Sequence, residues 1–137
     1  MFKSQIELRV LLADKSPFYR NAIREYLLPG QFPEIQETQT ALDTVALLLS
    51  QPFDLFVVDW DLLVTNDGAL LELIVRRSKT IKRKMPVLAM MVSPTRASVM
   101  HAADNGIDMV LRKPFSPKAL QERARWLLEQ ISLEMAI

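Results

Sequence analysis

A chain of 137 residues has room for about one domain and one sizeable core. Half of its residues are hydrophobic, 24% are charged and the formal net charge is +1, a balance that excludes disorder and any global attraction to nucleic acid or an anionic membrane. With no cysteine and a single histidine, His101, the chain also lacks the means for disulfides, thiolate catalysis or Cys/His metal clusters. No apolar run approaches the roughly 18 residues of a membrane span, and charges interrupt the N-terminus where a signal peptide needs its apolar stretch. The expectation is one cytoplasmic domain over 1–137 with no direct contact to nucleic acid or membrane.

In chain order, Val10–Ala13 is the first of four short, unbroken apolar runs of the kind buried on both faces of a parallel sheet. Ser16-Pro17 supplies an N-cap and a proline at N1 for a helix through Leu28, stopped by Pro29-Gly30. Glu34–Thr38 is a weaker strand. Thr40 can cap a helix with Leu42, Val45, Ala46 and Leu49 on one stripe, ending before Pro52. Leu55–Val58 is the third strand, and Asp67-Gly68 leads into a helix with Leu70, Leu71, Ile74 and Val75. Val87–Val92 is the fourth strand, followed by a helix opened by Ser93-Pro94 and closed by Asn105-Gly106. Met109–Leu111 is the fifth strand, and Ser116-Pro117 opens a last helix with Leu120, Ala124, Leu127 and Ile131 inward. The order βαβαβαβαβα predicts a doubly wound α/β domain with right-handed crossovers.

In such a sheet, ligands sit beyond the carboxyl ends of the strands, and Asp14, Asp59 and Lys113 fall there. Two carboxylates suit a hard cation such as Mg²⁺, and a lysine can offset charge on a phosphoryl oxygen. The plainer alternative is a strand-end ion pair between Asp59 and Lys113. A flavodoxin-like cofactor protein fits poorly, since the bulky Lys15-Ser16-Pro17-Phe18-Tyr19 cannot wrap a phosphate with backbone amides.

Leu11 to Arg20, Asp54 to Asp59 with Asp67-Gly68 eight residues on, and Asn105 to Phe115 with Lys113-Pro114-Phe115 seven residues after Gly106 resemble the receiver domain of bacterial response regulators. The resemblance covers essentially the whole chain. It implies a flavodoxin-like (βα)5 fold with a five-stranded parallel sheet in order 2-1-3-4-5. It further implies that a sensor histidine kinase passes a phosphoryl group to Asp59, with Asp14 one of an acidic pair, Asp61 a backbone-carbonyl ligand of Mg²⁺, and Lys113 the phosphoryl contact. The Lys113-Pro114 bond would be cis.

This chain departs from that pattern at three working positions. Lys15 stands where a second acid is usual, Met91 where a Thr or Ser would bond the phosphoryl group, and Val110 where an aromatic switch residue would sit. The loop Trp60–Asn66 is one residue longer than usual and lacks its proline. Asp14, Asp59 and Asp61 against Lys15 and Lys113 leave the pocket at −1 rather than the usual −2, which weakens Mg²⁺ binding. The expectation is that the Lys15 ammonium lies against Asp14 and Asp59 in place of the metal, while Ser93 is occupied as a helix cap.

These features describe a degenerate receiver: a non-enzymatic protein-interaction module of a two-component (phosphorelay) system with weak or absent Mg²⁺-dependent phosphorylation. The alternative is a functional receiver accepting a phosphoryl group on Asp59 from a histidine kinase. By the same resemblance, the fourth helix, fifth strand and last helix form a dimer or partner face, here with Arg96, Met100, Val110, Arg123 and Trp126. The basic run Arg76 to Lys84 lacks interleaved aromatics and reads as a solvated surface, as does His101.

Overall fold

The structure is a computed structural model that describes residues 8–28, 34–80 and 85–136, excluding the side chains of residue 80 and of 131–136. The apolar runs become five strands: β1 (Arg9–Ala13), β2 (Glu34–Thr38), β3 (Leu55–Asp59), β4 (Val87–Met91) and β5 (Met109–Arg112). They form one parallel sheet in the order β2-β1-β3-β4-β5. Register sets Leu11 beside Gln36 and Phe56, and Met90 beside Asp59 and Leu111. Asp14, Asp59 and Lys113 therefore leave their strands at one end of the sheet.

Helices α1 (Pro17–Leu27) and α6 (Pro117–Ala136) cover one face, where Ile23, Leu27, Leu120, Ala124 and Leu127 pack on Val10, Leu12, Val57, Leu88 and Met90. On the other face, α2 (Ala41–Ser50), α3 (Trp60–Val64), α4 (Ala69–Thr80) and α5 (Arg96–Asp104) cover Leu11, Phe56, Val58 and Ala89. A fully buried Leu or Phe contributes about 1.5–3 kcal/mol, and both faces of β3 and β4 are lined with such side chains.

The caps at Ser16 and Thr40 form as expected, with their hydroxyls accepting from the Tyr19 and Asp43 amides. Pro29-Gly30 lies outside the described residues. Three local expectations change. The expected α2 stripe is split: Leu42, Ala46 and Leu49 turn outward, Val45 packs half-buried against the core, and Ala41, Thr44 and Leu48 face the sheet. Here Thr44 has polar company, its hydroxyl donating to the Thr40 carbonyl and pairing with Thr38 Oγ1 at 2.8 Å. The α5 cap is Thr95 rather than Ser93, because Thr95 and Ser98 satisfy each other's backbone amides in a reciprocal capping box. The stretch after Asp59, read as loop, contains the short α3, whose Leu62 and Leu63 are buried.

Just before α4, Asn66, Asp67 and Gly68 all take positive φ (53°, 58° and 72°). Asn, Asp and Gly are the residues that tolerate this region. Gly106 (φ 83°) ends α5 in the same way, and Lys113-Pro114 is cis.

Candidate functional site

Asp14, one residue past β1, is fixed by its backbone: its amide donates to the Thr38 carbonyl at 3.1 Å and its carbonyl accepts from Arg20 Nη1 at 2.6 Å. Asp14 Oδ1 accepts from the Ser16 amide at 2.9 Å. Lys113, one residue past β5, donates its amide to the Met91 carbonyl at 2.8 Å and reaches back across the sheet end. Its Nζ donates to Asp14 Oδ2 at 2.6 Å and to Asp59 Oδ1 at 3.0 Å. All three side chains are at most 6% exposed. The ammonium also lies 4.0 Å from the centroid of the Tyr19 ring, which tilts against Phe115. Lysine is thus caged by two anions and a π face, each of which favours its charged form.

Burial, the largest influence on Asp59, raises its pKa above the ordinary carboxylate value; Lys113 opposes this, while Asp14 and Asp61 reinforce it. Burial pulls the Lys113 pKa down, but its hydrogen bonds to Asp14 and Asp59 outweigh that and leave it raised. The trio keeps its cation more firmly than its second anion.

The expected stand-in for a metal is corrected here. Lys15 is exposed and makes no ion pair with Asp14 or Asp59 among the described residues; the ammonium between those carboxylates belongs to Lys113. Asp14 already takes the Ser16 amide and Lys113, and the Lys15 side chain lies in solvent. Asp61 is exposed on α3, where its carbonyl accepts the Thr65 amide at 3.1 Å within a helical turn. No group of three or more His, Cys, Asp or Glu side chains among the described residues converges as a metal site. Mg²⁺ is usually held by one or two carboxylates and several waters, and the two carboxylates at this strand edge, Asp14 and Asp59, each give one oxygen to Lys113.

Met91 is 3% exposed and packs into the core on the face with Leu11, Phe56, Val58 and Ala89. It stands on a groove of about 400 Å³ lined by Asp59, Trp60, Asp61, Ser93, Thr95 and Ser98 as well. Thr95 and Ser98 are engaged in the cap; Ser93 is not the cap residue. Val110 is half-buried on the edge strand β5. Arg96, Met100, Arg123 and Trp126 are exposed on α5 and α6, with Met100 and Trp126 both at 51%. His101 is exposed on α5 and meets the Trp60 ring edge to face at 5.3 Å. In the basic run, Arg76 pairs with Glu72 and Arg77 Nη1 donates to the Leu48 carbonyl at 2.9 Å; residues 81–84 lie outside the described part.

Sequence reasoning missed Tyr19. The available signal was its place three residues after the Ser16 cap, on the helix turn facing the strand ends.

The model for the response regulator receiver domain matches residues 10–125. The chain belongs to the response-regulator receiver family. It is 26% identical over 124 residues to the chemotaxis protein CheY-3 of Vibrio cholerae, covering 90% of this chain and 94% of that protein. It is 26% identical over 125 residues to the chemotaxis protein CheY of Pseudomonas aeruginosa, covering 91% and 99%. Among solved structures, a CheY-like receiver domain protein from Methanospirillum hungatei superposes with a TM-score of 0.79 at 20% identity, covering 93% of this chain and 98% of that one. CheY4 of Vibrio cholerae superposes with a TM-score of 0.75 at 20% identity, covering 88% and 98%. The flavodoxin-like receiver fold is therefore shared along nearly the whole chain. Among the described residues, no helix is long and apolar enough to cross a membrane.

Proposed function

We propose that this receiver domain acts in two-component signalling as a non-enzymatic protein-interaction module, with Asp59 a poor phosphoryl acceptor. The observation that carries the reading is the Lys113 ammonium bridging Asp14 and Asp59, which takes one oxygen from each carboxylate that a cation would use. In phosphoryl transfer, an Asp59 carboxylate oxygen would form the new bond to phosphorus as the donor's bond breaks. Catalysis of such a step rests on positioning and on meeting the charge of the transferred group. Burial raises the Asp59 pKa above that of an ordinary aspartate, and its Oδ1 accepts from Lys113, so one oxygen of the nucleophile is already engaged. Met91 offers no hydroxyl to the group, forfeiting a charge-assisted hydrogen bond of about 1.5–3 kcal/mol. Val110 has no ring with which to report a change at the pocket.

The module then works from a fixed conformation, and its partner face is the edge formed by α5, β5 and α6. Trp126 and Met100 supply apolar anchors there, beside Arg96 and Arg123. The partner is a histidine kinase or another signalling protein.

One observation favours the second reading, a working regulator phosphorylated on Asp59 by a histidine kinase: the groove beside Met91 opens on Asp59 itself. Intact mass after incubation with acetyl phosphate, with and without Mg²⁺, separates the two. We expect no gain of a phosphoryl mass in the folded protein. A gain that disappears in Asp59→Asn would replace the interaction-module reading with the second one.

A further inference from the structure

A lysine ammonium has three N–H donors, and Lys113 directs two of them to Asp14 Oδ2 at 2.6 Å and Asp59 Oδ1 at 3.0 Å. Tyr19 stands at the remaining side, with Nζ over its ring and 4.0 Å from the centroid. An oxygen bonded to the ammonium would sit about 2.7–2.9 Å from Nζ, so a ring at that distance leaves it no room. The ring face is also the negative side of the aromatic quadrupole, which attracts the cation and repels an anion.

The ring is held in this place from several directions. Tyr19 lies in the first turn of α1, and its amide donates to Ser16 Oγ at 3.3 Å. Phe18 meets the ring edge to face at 5.3 Å, and Phe115 tilts against it at 6.0 Å. Phe115 in turn meets Tyr26 of α1 at 6.3 Å. The turn after β5 therefore carries both the lysine and the ring that backs Tyr19.

We propose that Tyr19 is a positioning residue that closes this pocket to phosphoryl oxygens. Its ring holds Lys113 on Asp14 and Asp59 and fills the place from which a third oxygen would reach the ammonium. The inference rests on the reading of Asp59 as a poor acceptor and gives that reading a cause besides Met91.

NMR of the wild-type protein tests the seat itself. Protons over an aromatic face are shifted upfield, so the Lys113 Hε resonances should stand upfield of those of the exposed Lys15 and Lys118. Tyr19→Phe keeps the ring and should keep the shift, whereas Tyr19→Leu keeps apolar bulk and should lose it. Intact mass with acetyl phosphate and Mg²⁺ tests the consequence, since an Asp59 oxygen bonds to phosphorus as acetate leaves. Tyr19→Leu should gain the phosphoryl mass about tenfold faster than Tyr19→Phe, the worth of one charge-assisted hydrogen bond. Lys113 resonances without an upfield shift in the wild type overturn the proposal, as does labelling of Tyr19→Leu no faster than that of Tyr19→Phe. Ready labelling of the wild type sinks the poor-acceptor reading instead, and the ratio of the two variants still decides the role of Tyr19.

Discussion

Replacing Lys113 with methionine removes the cation from the buried trio while keeping most of the apolar stem. At 2.6 and 3.0 Å from the two carboxylates, and with an effective dielectric constant of about 20, each contact carries about 5–6 kcal/mol of Coulomb energy. Relief of the burial cost of the ammonium offsets part of this, and truncating one partner of a buried pair costs about 3–5 kcal/mol in practice. For a chain of this length that is a drop in Tm of roughly 10–20 °C. The loss should depend on pH. In the variant, Asp14 and Asp59 remain buried beside each other, and protonating Asp59 relieves them, so the deficit is largest near pH 8 and shrinks toward pH 5. Urea denaturation at both pH values measures it. A deficit below about 1 kcal/mol at pH 8, or one equal at the two pH values, would refute the claim that Lys113 neutralises the buried pair.

Asp59→Asn tests the other side of the same account. The folded-state pKa of Asp59 lies above its unfolded value, so the folded protein binds the extra proton and this group's contribution to stability falls as pH rises between the two values. The variant should therefore match wild type below the unfolded value near 3.8 and gain on it toward pH 8; a loss there of more than about 1 kcal/mol would contradict it. Lys15→Asp adds a carboxylate beside Asp14 and should confer Mg²⁺ binding, read as a change in Trp60 fluorescence in a Trp126→Phe background. No response up to tens of millimolar Mg²⁺ would mean that position 15 does not limit metal binding.

The fold was open to sequence reading because each strand is a short unbroken apolar run and each connection contains a helix with a cap. Asp14, Asp59 and Lys113 were legible for a topological reason: parallel strands bring all their carboxyl ends to one edge. What failed depended on side-chain direction and on competition between neighbours. Leu42 and Ala41 differ by one residue, so an equally apolar helix can rotate part of its stripe away from the sheet without altering its composition. Ser93-Pro94 resembles Ser16-Pro17, but only at Thr95 does a hydroxyl three residues on return the hydrogen bond. Lys15 and Lys113 both had the reach and charge to sit between the carboxylates. The Lys113 amide, bound to the Met91 carbonyl, sets that chain end where its side chain alone completes the trio.

The Lys113–Asp14 contact also joins residues 99 positions apart, the first strand's end to the last's. No earlier portion of the chain can form it, and the loop closed by so distant a pair is costly until the intervening strands are in place. The trio is therefore expected to form late, as β5 docks on β4, and Lys113→Met should then speed unfolding more than it slows folding. Interactions formed that late act chiefly on the rate of opening rather than the rate of folding. The pocket therefore works as a clasp, prolonging the life of the finished sheet while doing little to hasten its formation.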